Sequence, residues 1–199
     1  MIGAVPAVFL GINFWTALAA FAVAGPWIQA AGRLRCLVQG CCHGRATVNA
    51  SGIRYTQPRT RVCRLAKLAG VPIHATPVYS ILWNFVVGTA LLRLLAVHAP
   101  GTMICGIYFL LSGAGRFAEE AYRGEPQTLV RCGLHLYQWI AAFTFVLGAV
   151  FTAIPSPAMN FFTPLNTSSV ILAIVCAATC WFVSGVDFPE VSRRFARLT

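Results

Sequence analysis

Hydrophobic positions dominate this 199-residue chain in long, nearly unbroken runs. A membrane-spanning helix needs about 20 mostly apolar residues. Five stretches meet that length: about 5–24, ended by "AGP"; about 77–97, with Arg93 near its end; about 102–120; about 136–154, closed by "IPSP"; and about 168–184. From Cys132 to Val186 there is no Asp, Glu, Lys or Arg, and "IPSPAMNFFTPLN" is the natural break between the last two spans. A shorter apolar piece, Cys36 to Cys42, is too brief to span and reads as a half-helix or an interfacial segment. The segment from Gly25 to Ala75 is long for a connection between membrane helices, and a long ordered connection is usually functional. Its small, basic and polar content predicts a lip or head over the membrane part. The pattern predicts an all-α polytopic membrane protein of about five transmembrane helices, with a long basic segment between the first two. Residues 1–160 form the membrane core and residues 161–199 an added C-terminal helix and basic tail.

Composition agrees. Hydrophobic residues make up 58% and charged residues only 10%, against about 25% charged in soluble domains. Mean hydropathy is +0.72. Charge sharpens the picture because it is clustered. Eight of the fifteen Lys/Arg fall between Arg33 and Lys67, and all five acids come later, at Glu119, Glu120, Glu125, Asp187 and Glu190. A basic segment beside a bilayer attracts anionic headgroups at roughly 1 kcal/mol per residue. The same segment also satisfies the positive-inside rule if it is cytoplasmic. No nucleic-acid partner is expected. The N-terminal apolar stretch lacks the basic region of a signal peptide. Five short spans without a repeated half argue against a transporter.

Charges at a membrane edge are costly and are functional candidates. In "GRFAEEAYRGEP", residues 115–126, Arg116, Glu120 and Arg123 are spaced i, i+4, i+7 and share one helix face. The plainer reading is a salt-bridged helix end. In "GRLRCLVQGCCHGR", residues 32–45, Arg33 and Arg45 flank two glycines. Gly40 and Gly44 permit tight turns or close approach to a ligand. His74 and Tyr79 precede the second span in "HATPVYSILWN". Gln138 opens the fourth, where a helix cap is the alternative. Eight cysteines are present, four of them, Cys36, Cys41, Cys42 and Cys63, in the basic segment. With His43 they could bind zinc, but no CxxC pair occurs. If the segment is extracytoplasmic, Cys63 could pair with Cys41 or Cys42. A nucleophilic thiol is a further reading. The surroundings favour a glycine-framed turn that sets Arg33 and Arg45 at headgroup level, with no metal and no cofactor.

In their order, "GRLRCLVQGCCHGR", the His74–Tyr79 block, "GRFAEEAYRGEP" and the Gln138 block resemble the prolipoprotein diacylglyceryl transferases over about residues 5–154. The resemblance implies a bacterial inner-membrane, multi-pass enzyme. It would move diacylglyceryl from phosphatidylglycerol, an anionic phospholipid, to the lipobox cysteine thiol of a prolipoprotein. It implies that Arg33 and Arg116 hold the phosphate, that Glu120 and Arg123 position them, and that His74 and Tyr79 line the headgroup cavity, with Gly40, Gly44, Arg45 and Gln138 as further substrate contacts. It also puts the arginine blocks at the outer face, against the charge count, and that orientation is preferred here. The departures are real. The family carries further N-terminal helices. The asparagine after its GR pair is Cys36 here, an acid in the same block is Cys41, and the His74 block lacks a Gln and a Glu. A non-catalytic lipid-binding subunit that works with a membrane protein partner is therefore the alternative.

Overall fold

The computed structural model describes residues 13–48, 52–124 and 129–158, with isolated helical positions between 167 and 179. The elements are α1 (Phe14–Gln39), α2 (Arg61–Arg64), α3 (Thr76–Ala96), α4 (Gly101–Tyr122), β1 (Val130–Arg131), β2 (Leu134–His135) and α5 (Leu136–Ala153). Among the described residues, α1, α3 and α5 are long and apolar enough to cross a membrane. The chain is an all-α multi-pass membrane protein, and among the described residues there is one two-stranded antiparallel hairpin. The expected span at 168–184 lies outside the described residues, apart from the isolated helical positions.

The second, third and fourth predicted stretches are helices within a few residues of their expected ends. The third, α4, does not join the three spans just named. Its apolar run is diluted by small residues and closed by Arg116, Glu119 and Glu120. It is the helix that packs against α1, α3 and α5 alike. The first stretch departs more. Its expected stop at "AGP" is overridden, and α1 runs through Pro26 to Gln39. Pro26 removes one backbone hydrogen bond, but tertiary packing carries the helix on. Pro26 is fully buried, Gly25 lets the Tyr108 ring come close, and Gln29 Nε2 donates to Tyr108 Oη at 2.7 Å. Arg33, Arg35 and Cys36 are thus helical, and the connecting segment begins at Gly40. Gly40 ends α1 in the left-handed conformation, at φ 67°, the usual helix C-cap.

Packing gives the directions. Ala17, Leu18 and Ala22 of α1 form a core with Val87 and Leu91 of α3 and Ile104, Cys105 and Tyr108 of α4. This core sits at one end of the bundle. About 22 Å further along α1, at 1.5 Å per residue, Arg33 meets Glu119 of α4 and shares a cavity with Ser80 of α3. So α1 and α4 run parallel, and α3 runs against both. The helices keep an apolar core at one end and gather their polar groups at the other. Outward side chains such as Ile28, Leu82 and Phe143 are 60–69% exposed, as suits a lipid-facing surface.

The α4–α5 contact is backbone on backbone. A Cβ at Gly106 would lie 2.8 Å from the Gly148 carbonyl oxygen, and one at Gly148 would lie 2.6 Å from the Leu110 nitrogen. Small residues at such a seam let helices approach where no hydrophobic effect drives them together. Gly148→Leu is expected to cost about 2–3 kcal/mol through overpacking, read as a clear loss of thermal stability in detergent. Gly32, with open space around its Cβ position, provides the control. Gly32→Ala should be neutral or slightly stabilising.

Candidate functional site

The connecting segment is ordered by two fully buried side chains, Ile73 and Val62. Ile73 exchanges backbone hydrogen bonds with Ile53, both at 3.0 Å. Within this segment residues 43–46 run as an extended rung. On one side, Gly44 N donates to His74 O at 3.2 Å and His74 N to Arg45 O at 3.0 Å. On the other, Arg45 N donates to Tyr122 O at 2.9 Å and Gly124 N to His43 O at 3.1 Å. The rung ties the lead-in to α3 to the end of α4. A side chain at Gly44 would overlap the His74 carbonyl, so glycine is required there. Arg45 closes the tie through a hydrogen bond from its guanidinium to the Ala121 carbonyl.

Beside this rung, five charged side chains form one chain of ion pairs. Arg33 Nη2 lies 3.1 Å from Glu119 Oε1, and Arg116 Nη1 lies 3.0 Å from that same oxygen. Arg116 Nη2 is 3.7 Å from Glu120 Oε2, and Arg123 Nη1 is 3.1 Å from Glu120 Oε2. Both carboxylates are buried. The guanidiniums of Arg116 and Arg123 sit 5.5 and 6.0 Å from the centre of the Tyr137 ring, a cation–π geometry that adds to the fixing.

Next to the ion pairs is a cavity of about 580 Å³ lined by Arg33, His74, Tyr79, Arg116 and Glu119 together with Trp83, Asn84 and Tyr122. That volume lies within the 300–1,000 Å³ typical of small-molecule sites. His74 Nδ1 is 3.5 Å from Tyr79 Oη, and the His74 ring also lies 5.2 Å from that of Tyr122. Trp83 reaches across to α4 and donates to Leu111 O at 2.9 Å. Gly115 leaves room for its indole.

The sequence-selected residues divide accordingly. Arg33, His74, Tyr79 and Arg116 line one cavity. Glu120 and Arg123 stand behind them in the ion-pair chain. Gly40, Gly44 and Arg45 shape backbone. Gln138 is not among the cavity-lining residues; its Oε1 accepts from His135 N at 3.0 Å in a capping box that starts α5. Sequence reasoning missed Glu119, which joins Arg33 to Arg116. The i, i+3 spacing from Arg116 was its signal. It also missed Trp83, Asn84 and Tyr122, which carry no charge to draw notice.

A model of the prolipoprotein diacylglyceryl transferase family matches residues 1–154. The chain belongs to the prolipoprotein diacylglyceryl transferase family. Among curated relatives, the phosphatidylglycerol–prolipoprotein diacylglyceryl transferase of Clostridium tetani (strain Massachusetts / E88) is 28% identical over 120 residues, covering 60% of this chain and 45% of that protein. The phosphatidylglycerol–prolipoprotein diacylglyceryl transferase 2 of Clostridium perfringens (strain 13 / Type A) is 31% identical over 120 residues, covering 60% of this chain and 44% of that protein. The chain spans less than half the length of these diacylglyceryl transferases.

Among the described residues no cysteine forms a disulfide. Cys63 does not meet Cys41 or Cys42; its Sγ lies 3.3 Å from the Tyr55 carbonyl oxygen. Cys36, Cys41 and Cys42 do cluster, with Sγ atoms within 4.8 Å of one another. Hydrogen bonds from the Cys36 and Cys41 thiols, then the charges of Arg123 and Arg33, hold the Cys42 thiol below its ordinary value. Cys41 is raised by the same hydrogen bonds and by burial. In reduced, chelator-treated protein, Cys42 should therefore react with iodoacetamide ahead of Cys41 at pH 6. An ordinary thiol, with a pKa of about 8.5, is less than about 1% ionised there. Peptide mapping after timed alkylation reads the order, and equal labelling of the two would contradict the assignment.

Proposed function

We propose that the chain is a bacterial inner-membrane diacylglyceryl transferase, with phosphatidylglycerol as donor and a prolipoprotein cysteine as acceptor. The observation that carries the reading is the single cavity lined by Arg33, Arg116, His74 and Tyr79. The ion-pair chain contains three guanidiniums and two carboxylates, leaving one positive charge. A phosphodiester headgroup carries one negative charge. Guanidiniums offer that group a bidentate fork that stays charged at any working pH.

The reaction follows. The acceptor thiolate attacks the glycerol carbon of the diacylglyceryl group. The carbon–sulfur bond forms as the carbon–oxygen bond to phosphate breaks, and glycerol phosphate leaves. Arg33 and Arg116 stabilise the second negative charge that develops on the phosphate, a term that is large in a water-poor site. His74 accepts the thiol proton, and Tyr79 orients its ring. Glu119, Glu120 and Arg123 are positioning residues. They hold the two phosphate-binding guanidiniums at fixed separation.

The test is a transfer assay in nanodiscs with labelled phosphatidylglycerol and a lipobox peptide. Wild type should release glycerol phosphate and yield a lipidated peptide. Arg116→Ala should lower kcat by about 100-fold or more while the protein remains folded. Absence of turnover in wild type, with phosphatidylglycerol still bound, would sink the enzyme reading and favour a lipid-binding subunit of a larger membrane complex.

A further inference from the structure

We propose that Cys36, Cys41 and Cys42 form a three-thiolate site for a thiophilic metal ion, zinc. This stands independently of the reaction above. Cys36 lies in the last turn of α1, and the left-handed Gly40 folds the chain back on it. Cys42 itself takes φ 56°, a conformation that non-glycine residues seldom adopt. The result brings three sulfurs within 4.8 Å of one another, with none of the three residues fully exposed.

Magnitudes support a metal over the alternatives. Three metal–sulfur bonds of about 2.3 Å hold their sulfurs about 3.8 Å apart in a tetrahedral site and about 4.0 Å apart in a trigonal one. Small side-chain rotations reach that spacing. Any one disulfide within the trio would leave a third thiol over, whereas a metal uses all three. A donor set of thiolates alone selects soft or borderline ions and rejects magnesium and calcium. Three thiolates around a divalent ion carry one net negative charge, and Arg33 and Arg123 bring positive charge to bear on Cys42. A monovalent ion would leave two negative charges there. Zinc keeps a fourth position for water or an incoming thiol. The ion would lock the end of α1, three residues beyond Arg33, to the turn that feeds the 43–46 rung.

The experiment uses the full chain, reduced and chelator-stripped in detergent. It is titrated with Zn²⁺, and separately with Co²⁺ as a spectroscopic probe. The expected result is one ion per chain, a thiolate-to-cobalt charge-transfer band, and three thiols protected from alkylation. Cys63→Ser and Cys132→Ser should bind as wild type. Cys41→Ser and Cys42→Ser should each lose roughly 100-fold or more in zinc affinity, since even outer-shell partners of a metal are worth 10–100-fold. Three results would overturn the proposal. One is no cobalt band and no thiol protection in the unsubstituted protein, a readout that needs no variant to fold. Another is undiminished zinc affinity when all three cysteines are serine. The third is protection of the three thiols by Cu(I) but not by zinc.

Discussion

Glu119 and Glu120 decide what this end of the bundle can be. They are buried beside three arginines at the end of helices that are otherwise apolar. A buried carboxylate without a partner is strongly unfavourable, and so is a guanidinium. Pairing removes most of that penalty only if geometry is fixed. Here the pairing runs from Arg33 on α1 through Glu119, Arg116 and Glu120 to Arg123 just beyond α4. Two helices that run parallel are thereby held at a set separation, and two guanidiniums face one cavity. Adjacent acids are what make this work. One serves the α1 side and the other serves the loop side, while Arg116 sits between them.

A second restraint acts at right angles to the first. The 43–46 rung hydrogen-bonds to His74 on one flank and to Tyr122 and Gly124 on the other. Backbone bonds of this kind fix position without requiring particular side chains, except where space is lacking, as at Gly44. The rung sets the His74 and Tyr79 side of the cavity relative to the arginine side. Residues 43–46 therefore work chiefly through their backbone, while the sulfurs of Cys41 and Cys42 gather at the turn just before them.

The helices were readable because long apolar runs have few alternatives in a bilayer. The end of α1 was not. A Gly-Pro pair is a strong local stop, and tertiary contacts reverse that preference: Tyr108 of α4 with Gly25 and Gln29, and Trp27 against Gly88 and Phe85 of α3. The site was partly legible. Arg33 and Arg116 stand out as charges in apolar surroundings, and their half-buried place beside a cavity agrees with that signal. Glu119 was hidden because a helix-face argument picks one of two neighbouring acids. The pairing across to α1, which picks Glu119, is a tertiary contact. Gln138 shows the reverse case: a polar residue at a helix start that serves its own helix end. The cysteine trio had no sequence signature either, since Cys36 and the Cys41–Cys42 pair meet only because Gly40 reverses the chain.

The central claim is that Glu119 couples Arg33 to Arg116 across two helices. A double-mutant cycle with Arg33→Gln and Glu119→Gln, read by thermal unfolding in detergent, tests it most directly. A real buried pair predicts a coupling of about 1–3 kcal/mol, because Glu119→Gln alone strands the Arg33 guanidinium, a penalty that vanishes once Arg33 is neutral too, while Glu119 keeps Arg116 when Arg33 alone is changed. Effects that simply add, within about 0.5 kcal/mol, would show that the two residues are not energetically joined, and the shared anchoring of the two arginines would have to be abandoned.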